Sequence, residues 1–156
     1  PEETGGSLFA KLELLGAEAI LDTVKGLETG SIVPEKQGET TTAYAKMLRK
    51  EMGNLDFSRD AAYILRLIRG LDPWPGTFSY LNGKMIKIRK AEHGGDSVGH
   101  APGEVLAADE SGLLVQTGDG ALRITELQPE GKKAMAAAAW LRGTTVRPGD
   151  HFTVTR

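Results

Sequence analysis

Two prolines one residue apart, in Asp72-Pro73-Trp74-Pro75-Gly76, divide this chain into parts with different periodicities. Each proline lacks a backbone N–H and fixes φ, so a helix arriving from the N-terminal side must stop there. The residue before each proline is pushed toward extended geometry. Trp74 between them carries a large apolar surface. The block predicts a rigid joint pinned by an aromatic, with helix before it and strand after it.

On the helical side, Leu8, Leu12, Leu15, Ala19 and Leu27 recur at helical spacing and predict a helix over 7–28. Thr4 or Ser7 caps its start, and Gly30 stops it. Residues 30–42, GSIVPEKQGETTT, have no period and the composition of a linker. Residues 43–52 predict a short helix ended by Gly53-Asn54. A further helix is predicted over 58–71, with Ser58 as N-cap and Asp60 favourable in the first turn. Ala61, Ile64, Leu65, Ile68 and Leu71 form its apolar stripe. Arg59, Arg66 and Arg69 fall on the other side and read as a solvated face.

After Gly76 the period changes to two. Thr77–Leu81 and Lys84–Ala91 flank Asn82-Gly83, a strong hairpin signal. Further strands are predicted at Gly103–Ala108, Leu113–Thr117, Ala121–Leu127 and His151–Val154, with a tight turn at Asp119-Gly120 and a loop over 92–101. An Ala-rich helix is predicted over 133–142. The fold class expected is α+β, mainly a small oligonucleotide-binding-like β-barrel of five to six strands with an inserted helix, preceded by helices.

The chain has no cysteine, which excludes disulfides and thiolate metal sites and fits a reducing compartment. His93, His100 and His151 stand in no metal-ligand spacing and read as surface histidines. No nucleophile elbow, Walker loop or dinucleotide fingerprint occurs. No apolar run reaches the ~20 residues of a membrane helix.

The net charge of −2 is divided unevenly. Residues 1–57 hold 6 Lys/Arg against 10 Asp/Glu, a net of −4, whereas 58–156 hold 13 against 11, a net of +2. Within Lys84–Lys90, strand alternation groups Lys84, Ile86, Ile88 and Lys90 on one side and Met85, Lys87 and Arg89 on the other. Lys132, Lys133, Arg142 and Arg147 add positive charge around the predicted inserted helix. Spacing leaves two readings open: a phosphate-binding face, or a strand edge protected by lysine.

The stretch Leu55–Gly76 resembles the start of the C-terminal domain of methionyl-tRNA formyltransferases. The resemblance rests on Leu55-Asp56-Phe57-Ser58, Ile68-Arg69-Gly70 and Pro73-Trp74-Pro75, then on Thr117-Gly118-Asp119-Gly120, on Leu127-Gln128-Pro129-Glu130-Gly131-Lys132-Lys133-Ala134-Met135 and on Arg147-Pro148-Gly149-Asp150. Pro102-Gly103-Glu104-Val105 matches the start of a barrel strand. Thr4-Gly5-Gly6-Ser7-Leu8 and Leu12 through Ala19 resemble the last helix of the family's catalytic domain. Met47 stands where the family often has lysine, and Phe57 where tryptophan is usual.

That family transfers formyl from 10-formyltetrahydrofolate to the methionyl amino group of initiator tRNA. The resemblance implies a cytoplasmic, monomeric parent enzyme whose catalytic Asn, His and Asp belong to an N-terminal domain with no match here. Because the chain begins at Pro1, it reads as a fragment. The expected organisation is residues 1–29 as a catalytic-domain helix, 30–42 as linker and 43–156 as the barrel domain. Leu8, Leu12 and Leu15 would then be partly orphaned without the catalytic domain. No catalytic, cofactor-binding or metal residue is expected here. Lys87, Arg89, Lys132, Lys133, Arg142 and Arg147 are the expected tRNA contacts, with no membrane partner. The alternative is the barrel of a related formyltransferase or formyltetrahydrofolate hydrolase acting on a non-tRNA substrate, with a mainly structural role.

Overall fold

The structure is a computed structural model that describes residues 2–96 and 99–155. Pro1, Ser97, Val98 and Arg156, at the ends of the expected segments and inside the expected 92–101 loop, lie outside the described residues.

Helix α1, Gly5–Glu28, starts at Thr4, whose Oγ1 accepts the Ser7 N–H at 3.1 Å while Ser7 Oγ accepts the Thr4 N–H at 2.9 Å. This reciprocal pair satisfies two donors that a helix start otherwise leaves open. Most of the helix is solvent-exposed, including Phe9 (78%), Leu12 and Leu15. Its first turn is anchored: the Gly6 N–H donates to the Asp72 carbonyl at 2.8 Å. A Cβ at Gly5 would stand 2.7 Å from the Gly70 carbonyl oxygen, so glycine permits the approach.

Residues 43–49 form neither helix nor strand, and only a 3-10 turn at Lys50–Gly53 replaces the predicted 43–52 helix. Tyr44 and Met47 are 87% and 85% exposed. Ten residues with no buried face lack the tertiary packing that stabilises a short helix.

Helix α2, Ala61–Gly70, begins three residues later than predicted. Ser58 is engaged elsewhere, its N–H donating to Asp56 Oδ1 at 2.9 Å. The cap is Asp60, whose Oδ1 accepts the Tyr63 N–H at 2.6 Å. The predicted stripe is correct: Ala61, Ile64, Ile68 and Leu71 are buried.

Among the described residues, seven strands make one antiparallel sheet: β1 Thr77–Leu81, β2 Lys84–Gly95, β3 Val105–Asp109, β4 Gly112–Gln116, β5 Ala121–Pro129, β6 Met135–Ala136 and β7 Phe152–Thr153. Its order is β3-β4-β5-β2-β1-β7, with β6 paired to β5. The sheet curls until its ends meet, where Glu104 beside β3 bridges to His151 beside β7. The strand count exceeds the predicted five to six because β6 occupies the start of the predicted 133–142 helix. Helix α3 is only Ala137–Leu141. The predicted 92–101 loop is also shorter, since β2 continues through Gly95 on β5.

Asn82 and Gly83 form the β1–β2 turn with φ of 51° and 74°, as the hairpin signal requires. The core lies inside the curl, where Leu55, Ile64, Ile88, Leu113, Leu122, Ile124 and Leu127 are almost fully buried. Each such side chain contributes roughly 1.5–3 kcal/mol of transfer free energy. Buried hydroxyls on β1 have partners: Thr77 Oγ1 donates to the Ile88 carbonyl at 2.7 Å, and Ser79 Oγ to the Thr153 carbonyl at 2.9 Å. Trp74 does not pin the proline joint as predicted, because it is 55% exposed. The joint is held instead through Asp72 and by the Gly76 N–H, which donates to the Leu71 carbonyl at 2.9 Å.

Candidate functional site: a basic surface and two cavities

Burial along β2 alternates as predicted up to Arg89. Ile86 and Ile88 are buried, Lys87 is exposed and Arg89 is half-buried. The alternation then breaks. Ile88 pairs with Leu127 and Lys90 with Glu126, so Arg89 is an extra residue in β2. Such a bulge increases local twist and redirects the side chains after it. Lys90, expected to share a side with Ile88, is turned to solvent and sits 3.0 Å from Glu126.

Lys87 and Arg89 thus occupy different surroundings. Arg89 lies 3.6 Å from Asp72 and lines a cavity of about 740 Å³ near the start of α1. Arg69 and Lys90 share that cavity with Glu2, Glu92 and Glu126. With Asp72 its four carboxylates outnumber its three cations, so it offers a polyanion no net attraction.

The second cavity, about 620 Å³, is a groove beside the β1–β2 hairpin. Lys84 and Lys132 line it, with Glu130 as the acidic residue of its wall. Ile86 pairs with Pro129 across β2 and β5, and this register brings the hairpin beside the Glu130–Lys132 turn. Lys87 pairs with Gln128, whose Nε2 donates to the Lys132 carbonyl at 2.9 Å. Lys84 and Lys132 thus meet at the groove, whereas Lys87 projects from the opposite side of β2 beside Gln128, and the exposed Lys133 follows Lys132 in the chain. Arg142 and Arg147 are exposed and flank the Thr144–Val146 segment that forms the opposite wall of the groove. None of these six cations forms an ion pair among the described residues.

Two residues of this groove were not singled out from sequence. Lys84 follows the Asn82-Gly83 turn directly and so stands where the hairpin meets solvent. The half-buried Trp140, one residue before the end of α3, lines the groove. Its place in the Ala-rich run was visible, but the groove it faces depends on long-range register.

The three histidines are exposed, as predicted. His100 Nδ1 lies 2.8 Å from Glu104 Oε1, and this contact holds the Glu104 carboxyl below its ordinary value. Hydrogen bonds from Ser58 lower Asp56 in the same way. Among the described residues, no cluster of His, Asp and Glu is placed to hold a metal ion, and no helix is long and apolar enough to cross a membrane.

Residues 47–145 match the family model described as formyl transferase, C-terminal domain. The chain is 42% identical over 154 residues to the methionyl-tRNA formyltransferase of Lachnospira eligens, covering 95% of this chain and 49% of that protein. It is 44% identical over 150 residues to that of Geotalea uraniireducens, covering 96% and 47%. The chain thus spans about half the length of these curated relatives. Among solved structures, a variant of HypX from Aquifex aeolicus superimposes with a TM-score of 0.65 at 23% identity, over 90% of this chain and 26% of that one. HypX in complex with tetrahydrofolic acid gives 0.57 at 26%, over 80% and 22%. With its matched domain spanning most of the sequence, the chain belongs to the formyl transferase C-terminal domain family.

Proposed function

We propose that this chain is the tRNA-holding portion of a methionyl-tRNA formyltransferase. The parent enzyme would transfer formyl from 10-formyltetrahydrofolate to the methionyl amino group of initiator tRNA in the cytoplasm. The observation that carries this reading is that Lys84, Lys87, Lys132 and Lys133, around the β1–β2 hairpin and the Glu130–Lys132 turn, have no ion-pair partners among the described residues, on a domain whose relatives bear that name. Charges without internal partners remain available to phosphates, which position folded RNA without reading its sequence. Arg142 and Arg147 extend the same surface, while Arg89 is a weaker contact because Asp72 competes for it.

On this reading residues 43–156 form the oligonucleotide-binding-like barrel domain. Residues 30–42 are the linker, and residues 1–29 are the last helix of the catalytic domain. The exposed apolar side chains of α1 suit a surface that a catalytic domain covers. Formyl transfer, and any site for the folate co-substrate, would belong to that other half.

The test is charge reversal. Lys87→Glu together with Lys132→Glu should weaken binding of initiator tRNA at least about tenfold at low salt, with little change in melting temperature. Unchanged binding with a folded variant would remove this role. It would favour the second reading, a barrel serving a formyltransferase with a non-tRNA substrate. The shared fold with HypX is the observation behind that alternative.

A further inference from the structure

The groove beside the β1–β2 hairpin has two kinds of wall. Met85, Pro129, Trp140 and Val146 supply apolar and aromatic surface. Asn82, Lys84, Lys132, Thr144 and Thr145 supply polar groups, and two of these are cations. Its volume of about 620 Å³ falls within the roughly 300–1,000 Å³ of small-ligand sites. A phosphate on a smooth surface needs only the cations. A paired base inside a duplex has no free face to offer an aromatic. An unstacked nucleotide uses all of these features: its base seeks a π-face, its edges seek hydroxyl or amide partners, and its phosphate seeks a cation.

We propose that this groove takes one unstacked nucleotide of a bound RNA, with the base against Trp140 and the phosphate held by Lys84 and Lys132. The inference rests on the RNA-binding role above and adds to it that the RNA must present an unpaired position here. Thr144, Thr145 and Asn82 meet the base edges, but every base has a stacking face, so the groove is tolerant of sequence. Glu130 at the same wall disfavours a second phosphate close by.

The test uses the full chain in a Trp74→Phe background, which leaves Trp140 as the only tryptophan. Two RNAs are titrated at low salt: a blunt-ended hairpin, and the same hairpin with four unpaired 3′ adenosines. Stacking of one base predicts at least about fivefold tighter binding of the overhang RNA, with quenching of Trp140 fluorescence. Trp140→Leu should remove that preference. Trp140 also packs against the core. The exposed pair Lys84→Ala with Lys132→Ala therefore provides a second route, and it should abolish both the preference and the quench. Equal, salt-sensitive binding of both RNAs without quenching overturns the nucleotide groove alone. Absence of binding by either RNA overturns the groove and the RNA-binding role together.

Discussion

The guanidinium of Arg89 lies 3.6 Å from the carboxylate of Asp72, the residue that opens the proline block. The Asp72 carbonyl also accepts the Gly6 N–H at 2.8 Å. One residue thus joins the end of α2, the start of α1 and the bulge of β2. The pairing also removes Arg89 from the cations that are free to meet an external phosphate.

Lys87 and Arg89 should therefore respond differently to truncation. Lys87→Ala is expected to weaken RNA binding and lower the log–log salt slope by about 1. Arg89→Ala should lower it by less. Asp72→Ala should reduce stability by no more than about 1 kcal/mol, as for other partly exposed pairs, and should strengthen RNA binding by releasing Arg89. Equal slopes for the two truncations would show that Asp72 does not hold Arg89 in solution.

Gly118 and Gly53 are positions where backbone meets backbone. A Cβ at Gly118 would collide with the Ser58 carbonyl oxygen, and one at Gly53 with the Gly76 carbonyl oxygen. Neither neighbour is a flexible side-chain end. Gly118→Ala and Gly53→Ala should each destabilise by about 1–3 kcal/mol or more. Gly38→Ala, in open space, should stay within about 0.5 kcal/mol. Denaturant midpoints make the comparison.

Helix α1 should be energetically separate from the core. Leu12→Glu and Leu15→Glu replace exposed side chains and are expected to change stability by no more than about 0.5 kcal/mol. Leu122→Ala, at a fully buried site, should lose about 2–5 kcal/mol. A fall in the urea midpoint for Leu12→Glu comparable to that for Leu122→Ala would mean that α1 is packed in solution.

Glu104 gives the chain an acid-sensitive point. Its carboxyl is held below the ordinary value of 4.5, first by the hydrogen bond with His100 and then by the Ala101 N–H at 3.2 Å. A folded-state pKa below the unfolded one means that the unfolded chain binds more protons as the pH falls. The contribution is present above 4.5 and is lost as the pH drops through the folded value. Melting temperature should therefore decline below about pH 4.5, and Glu104→Gln should flatten that decline. An unchanged acid limb in the variant would rule out this carboxylate as a source.

Local signals were readable where a residue type dictates one geometry. Asn82-Gly83 specified its turn, and the stripe from Ala61 to Leu71 specified the buried face of α2. Local chemistry misled where two residues offered the same service. Ser58 and Asp60 are both good caps; Asp60 Oδ1 takes the Tyr63 N–H, while Ser58 lies in a turn tied to Asp56. The short helix predicted over 43–52 is absent, because Tyr44 and Met47 are exposed and no packed face stabilises one.

The candidate surface was partly legible. The lysines could be counted, and the alternation through Lys87 held. The Arg89 bulge could not be anticipated, because it arises from the β2–β5 register. The same register places Lys84, Lys132 and Trp140 on one groove from positions far apart in the chain.

The measurement that bears most directly on the RNA-binding role is titration of this chain with initiator tRNA at salt concentrations of about 50 and 200 mM, a range over which phosphate contacts respond strongly. Four phosphate contacts at about 0.7–0.9 counterions each predict a log–log slope near −3 and roughly a 60-fold loss of affinity across that range. No binding at the lower salt, or binding indifferent to salt, would contradict the assignment of Lys84, Lys87, Lys132 and Lys133 to the phosphates of tRNA.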